Sequence, residues 1–153
     1  MEASTLSAAA DLRYEEIHVG MVRSFTRLIS EADIDAFGAL SGDVSPLHAD
    51  HGYAQSQTGY DKRLVHGMHL ASLVSCLIGM HLPGFRSVCL AQQFDFVRPV
   101  YGGGDVEVRG EVVSKQDATR TIVLATRVRA GGQVCVKGKA TVMVLTSEYP
   151  ARS

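Results

Sequence analysis

Between residues 41 and 48 the chain reads Ser-Gly-Asp-Val-Ser-Pro-Leu-His, a carboxylate and an imidazole five positions apart. Pro46 stiffens the turn between them and holds Ser45 extended, because the pyrrolidine ring fixes its own φ and disfavours an α conformation in the residue before it. Asp43 and His48 can therefore converge on one small volume, where a carboxylate and an imidazole form an acid/base pair. The same residues have a purely structural reading, with Asp43 capping the following turn and His48 in a satisfied hydrogen bond, since Asp and Pro recur in turns for local reasons. Pattern alone leaves both open. A second feature is His66-Gly67 at the start of an apolar segment. A glycine there lets a ligand approach the free N–H groups of a helix, and the helix dipole favours negative charge at that end, which suits an oxyanion or a phosphate. Many helices begin with a glycine for no such reason. Two His-x-x-His pairs, His48/His51 and His66/His69, offer imidazoles of the kind that first-row metals accept. No Cys or Glu stands at a supporting spacing, so no metal is expected and these histidines read as buried or surface residues. There is no GxGxxG opening a helix after a strand, no GxxxxGK[ST] and no GxSxG, so nucleotide-cofactor and serine-hydrolase readings lack their anchors.

The elements that must hold these groups follow from periodicity. Residues 20–29 alternate loosely as a strand. Ser30 with Asp33 forms a capping pair for a helix over about 31–40, where Ile34, Phe37 and Leu40 recur at spacings of three, and Gly42 ends it. Residues 43–63 have no sustained period and carry Pro, Gly, Asp and Ser, which predicts an ordered loop with one short helix near 50–57. Residues 66–82 are apolar on every side, the pattern of a helix enclosed by other structure. Gly67, Ala71, Ser75 and Gly79 recur there at spacing four, a ridge of small residues along which a sheet or another backbone can approach closely. Pro83 and Gly84 stop the helix. Four β-branched runs follow, 87–98, 105–114, 119–129 and 133–145, with breaks at 102–104, 115–118 and 130–132 short enough for antiparallel hairpins. The fold class is α+β: an antiparallel sheet curled round one long central helix. Residues 1–153 are expected to form a single domain, with 1–15 as a frayed lead-in.

Composition narrows the partners. With 15 Lys+Arg against 16 Asp+Glu, scattered rather than clustered, and no Trp, the chain lacks the basic stripe and stacking platforms of a nucleic-acid binder. Hydrophobic residues at 46% and charged residues at 20% exclude a disordered chain. Cys76, Cys89 and Cys135 are odd in number and set among apolar residues, and read as small buried hydrophobes in a reducing compartment. Glu2 and the lack of a cationic region speak against a signal peptide, and His66, His69, Ser72, Ser75 and His81 interrupt the most apolar stretch. No membrane span is expected, and a cytoplasmic location fits.

Taken together, SGDVSPLHADHGYA, then LVHGMHLASLVSCLIGMHLPG, then QQFDFVRPVYGGGDV resemble the R-specific enoyl-CoA hydratases of the MaoC-like dehydratase group, in the same order and at closely similar spacings over about residues 20–145. The resemblance implies the hotdog fold and a homodimer whose two sheets join. It implies Asp43 and His48 as the catalytic pair and the N–H of Gly67 as donor to the thioester oxygen. Ser75 falls where close relatives carry a helix serine near the catalytic Asp. Eight positions, about 12 Å of helix rise, separate it from Gly67, so the two cannot serve the same oxygen, and Ser75 reads equally as part of the small-residue ridge. Ile78 is implied as a wall of the acyl pocket. Two departures stand out: the family usually has Asn where this chain has Ser45, which exchanges an amide for one hydroxyl, and GGGDV lengthens a turn at one edge of the substrate entrance.

The implied reaction is reversible syn hydration of a trans-2-enoyl-CoA to the (R)-3-hydroxyacyl-CoA, with no cofactor. It needs a base for the water, an acid for C2 and stabilisation of the charge that develops on the carbonyl oxygen. By analogy Asp43 is the base and His48 the proton donor, although residue types leave that division open. A dehydratase acting on acyl-carrier-protein thioesters is the nearest alternative, with Arg63, Arg86 and Arg98 as candidates to meet an acidic carrier or a CoA phosphate. A hotdog thioesterase would hydrolyse the thioester instead, and the Asp-x4-His pattern speaks against it. A non-catalytic partner subunit is a third alternative, opposed by the presence of both Asp43 and His48.

Overall fold

The alternating runs fold as β1 (Val22–Ile29), β2 (Ser87–Phe96), β3 (Gly104–Gln116), β4 (Thr121–Ala130) and β5 (Gln133–Val144) in a computed structural model that describes residues 9–146. They form one antiparallel sheet in the order β1-β3-β4-β5-β2. Period-two alternation sends Val106, Val108 and Val112 of β3, Ile122, Leu124 and Val128 of β4, and Val136, Ala140 and Val142 of β5 to one buried face. Glu107, Arg109, Arg127, Lys137 and Lys139 occupy the opposite face, which solvent reaches. The long helix α4 (Gly67–Met80) lies on the buried face through Leu70, Leu73, Val74, Leu77 and Ile78. Each such side chain contributes roughly 1.5–3 kcal/mol by leaving water. Gly110 lets the helix come this close: a Cβ there would stand 2.6 Å from Leu77 Cδ2. This is the expected α+β hotdog architecture.

Helix α1 (Glu31–Ser41) begins at the capping box read from the sequence. Ser30 Oγ accepts from Asp33 N–H at 3.1 Å, and Asp33 Oδ2 accepts from Ser30 N–H at 2.7 Å. It ends at Gly42, whose φ of +79° is the left-handed conformation that glycine adopts without strain. Between α1 and α4 the single expected short helix is replaced by α2 (Pro46–Ala49), α3 (His51–Tyr53) and a π-helical turn at Ala54–Thr58. Pro46 starts α2, where its missing N–H costs nothing, and Asp50 caps α3 by accepting from Tyr53 N–H at 3.0 Å. Arg63 clamps this excursion to α1. It is 8% exposed and donates to Glu31 and Asp35, each at 2.5 Å, while His51 Nε2 lies 3.6 Å from Glu31.

Three further expectations change. Helix α4 is not enclosed on every side in this chain, because Met68, Ser72 and Ser75 are exposed. Of its small-residue ridge, Gly67 and Ala71 are packed, whereas nothing lies within 4 Å of a Cβ built at Gly79. Of the cysteines only Cys135 is buried, and Cys89 is exposed because β2 is an edge strand with a neighbour on one side alone. Residues 10–17 are held in place rather than frayed. Phe85 N–H donates to Ala10 O, Tyr14 is buried with its hydroxyl 2.8 Å from Asp117 Oδ1, and Lys115 donates to Tyr14 O and Ile17 O. Residues 1–8 of the expected lead-in lie outside the described residues. No helix among the described residues is long and apolar enough to cross a membrane.

Candidate active site

The turn that follows α1 presents Asp43. Ser41 Oγ accepts from Asp43 N–H at 3.2 Å, and Asp43 Oδ1 accepts from Ser45 N–H at 3.2 Å, a local turn of the kind Asp favours. The Ser45 N–H bond, joined by the Ser45 side chain and by His48 and His66 nearby, holds the Asp43 carboxyl below the usual carboxylate range against a smaller opposing effect of burial. Asp43 is therefore a carboxylate at neutral pH. The first of these contacts is made by the main-chain N–H of residue 45 and does not depend on its side chain.

His48 is delivered by α2. Its Nδ1 donates to Leu64 O at 2.9 Å; a carbonyl only accepts, so Nδ1 carries hydrogen and Nε2 is left for proton transfer. That Nε2 lies 4.0 Å from Asp43 Oδ2. The gap is too long for a direct hydrogen bond and is of the size that one water hydrogen-bonded to both atoms would span. The carbonyl that orients His48 is itself fixed, since Leu64 N–H donates to Leu47 O and Val65 N–H to Val100 O. The structure thus brings Asp43 and His48 together, as the spacing predicts.

His48 forms a wall shared by two cavities. A larger one of about 340 Å³ also has Tyr60, Gly67, Leu70, Phe96 and Arg98 in its lining. The smaller, about 130 Å³, holds Asp43, His66 and Gly38. Gly67 opens α4, so its N–H has no intrahelical acceptor. A Cβ at Gly67 would stand 3.0 Å from the Phe96 ring, so glycine lets the ring pack against the start of the helix at this distance. His48 and Gly67 therefore border one space.

The remaining candidates are dispersed. Ser75 lies on the exposed face of α4 and Ile78 is buried in the core; neither lines the two cavities that His48 borders. Arg63 and Arg86 are engaged by carboxylates, Arg63 by Glu31 and Asp35 and Arg86 by Asp11, so of the three arginines only Arg98 lines the cavity. The His-x-x-His pairs do not act as pairs: His51 faces Glu31, and His69 stacks on Phe37 with ring centroids 5.0 Å apart. His66 instead stacks on His48, 3.9 Å between centroids and 22° between planes. Donor atoms of Asp43, His48 and His66 lie within 4.8 Å of one another, but stacked rings direct their in-plane lone pairs side by side rather than onto one ion. Sequence reasoning missed Phe96 and Tyr60 as lining residues. Both arrive by tertiary packing, and no local signal marks them.

Residues 12–133 match the family described as MaoC like domain. The chain is 37% identical to an (R)-specific enoyl-CoA hydratase of Aeromonas caviae over 129 residues, 84% of this chain and 96% of that protein. It is 33% identical to a 3-hydroxybutyryl-CoA dehydratase of Methylorubrum extorquens over 137 residues, 90% of this chain and 87% of that protein. Among solved structures it resembles the unliganded R-hydratase PhaJ1 of Pseudomonas aeruginosa with a TM-score of 0.84 and 34% identity, covering 95% of this chain and 97% of that one. Fold and relatives agree on the class, a hotdog hydro-lyase. The chain belongs to the MaoC-like dehydratase family.

Proposed function

We propose that this protein catalyses the reversible syn hydration of a trans-2-enoyl-CoA to the (R)-3-hydroxyacyl-CoA, with Asp43 and His48 as the acid/base pair and the Gly67 N–H as the oxyanion donor. The observation that carries this reading is the 4.0 Å gap between Asp43 Oδ2 and Nε2 of His48, the residue that the Asp43 cavity and the Gly67 cavity share. A water held in that gap gives a proton to the Asp43 carboxylate as its oxygen bonds to C3. The electron pair of the double bond moves toward the thioester, whose oxygen takes up charge beside the Gly67 N–H. C2 then receives the proton that Nε2 carries when His48 enters the cycle as an imidazolium, with Nδ1–H still held by Leu64 O, and the proton on Asp43 returns to His48 Nε2 through the next water. Both transfers come from one side of the alkene, which makes the addition syn. Dehydration is the same path reversed, and no cofactor takes part.

The names of the relatives support the substrate class, and Arg98 in the cavity lining suits a CoA phosphate. The working form is a homodimer joined through β2, whose outer edge is unpaired and bears the exposed Val88, Leu90 and Phe96.

The test follows the enoyl-thioester absorbance of crotonyl-CoA with the purified chain and its Asp43→Asn variant, together with chiral analysis of the product. The wild type is expected to bleach the band and release the R alcohol. The variant is expected to lose about 10²–10⁴ in kcat, the usual contribution of an acid/base group. Near-normal hydration by the variant, an S product, or release of free CoA thiol without hydration each overturns the reading.

A further inference from the structure

We infer that His66 is a positioning residue, the pin that sets the Asp43 turn, the His48 ring and the first turn of α4 in one geometry; the inference rests on the acid/base reading above. His66 is 3% exposed and touches all three parts. Its Nε2 donates to the main-chain oxygen of Asp43 at 2.8 Å, so Nε2 carries the ring hydrogen. Its face lies against the His48 imidazole, and its other neighbour is Phe37, 5.1 Å away at a 54° tilt. Its own carbonyl accepts from His69 and Leu70 N–H at 3.0 and 3.2 Å, which anchors it as the N-cap next to Gly67. Gly38 of α1 leaves room for this: a Cβ there would come 3.3 Å from Asp43 O and 3.7 Å from His66 Cε1.

The residue type follows from two demands made at once, a flat ring to stack on His48 and a donor at its far edge to reach Asp43 O. Phenylalanine meets the first alone, glutamine the second alone, and leucine neither. The structure also carries a cost that packing does not explain. His66 Nδ1 is buried without a partner, and a phenylalanine would fill the same space with no orphaned nitrogen. The ring N–H is the group that justifies that nitrogen. Proton transfer is sensitive to sub-ångström placement, and an error of 1 Å costs on the order of 10²-fold in rate. Loss of the pin slows chemistry and leaves substrate binding nearly unchanged.

The test measures kcat, KM and thermal midpoint with crotonyl-CoA for the wild type, His66→Gln, His66→Phe and His66→Leu. Gln and Phe are each expected to lower kcat about 10-fold and Leu about 10²-fold, with KM within about threefold. The Phe variant is expected to melt at or above the wild-type temperature while being slower, a split that a merely structural role does not produce. The inference is overturned if the variants turn over within twofold of wild type, if the losses fall in KM, or if the Phe variant's loss of rate tracks a lowered midpoint. Should His66→Leu not fold, the Gln and Phe variants decide alone. A wild type inert toward crotonyl-CoA overturns the underlying acid/base reading, whereas an active wild type with indifferent variants overturns this inference only.

Discussion

At position 67 a methyl group is crowded, because its carbon would meet Phe96 Cδ1 and Cε1 at 3.0 Å and the ring would have to yield by a few tenths of an ångström. Gly67→Ala must therefore push the ring or the start of α4 aside and move the N–H proposed to meet the thioester oxygen. We expect kcat on crotonyl-CoA to fall by 10²-fold or more, the usual range on losing an oxyanion donor. Far-UV circular dichroism should be unchanged, since alanine is the better helix former. A variant with wild-type kcat would remove Gly67 from the mechanism. Asp43, His48 and Gly67 were legible as candidates because local chemistry marks them: a proline-stiffened turn and a glycine opening a helix. The stack of His48 on His66 was not legible. It joins residues 18 positions apart, and adjacency of that kind comes only from how α2 and α4 pack.

Among the elements, β2 is, with β1, one of the two edge strands of the sheet. It pairs with β5 on one side, bulges between Cys89 and Ala91, and leaves Leu90 half-exposed along the free edge. An apolar free edge invites a second strand, and a lysine is the usual guard against it. If the proposed dimer joins through β2, Leu90→Lys is expected to shift it toward monomer in light scattering at micromolar concentration; a variant that stays dimeric would show that β2 is not the joining edge. The periodic elements were read correctly because β1, α1, α4 and the later strands each span several repeats of their period. Helices α2 and α3 were not, since three or four residues complete barely one turn and leave no periodicity to detect. The exposure of Cys89 was missed for another reason: an apolar run looks the same at the centre and at the edge of a sheet, and only strand order separates them.

For the molecule as a whole, the buried His69 couples stability to pH. Burial, ahead of the opposing pull of Asp33, holds its pKa below the usual histidine value. The unfolded chain takes up a proton at this residue near pH 6.5 while the folded chain resists it, so below that pH the unfolded state binds more protons. Stability is therefore complete above about pH 6.5 and falls as the solution is acidified toward the folded value, by at most about 1.4 kcal/mol per pH unit for one proton. Urea midpoints between pH 8 and pH 5 should show a shallower decline for His69→Leu than for the wild type, and identical slopes would discount His69. By itself, the order of residues determined what depends on neighbours in the chain: the caps of α1, the alternation of the strands, the apolar α4 and the Asp-x4-His turn. Only the tertiary structure decided which of six histidines meet, which arginines are engaged by carboxylates, and that Phe96 walls the Gly67 cavity. Short-range hydrogen bonding and period act within a few residues and are written locally. Contacts across the sheet and helix depend on strand order and packing depth, which no local pattern encodes.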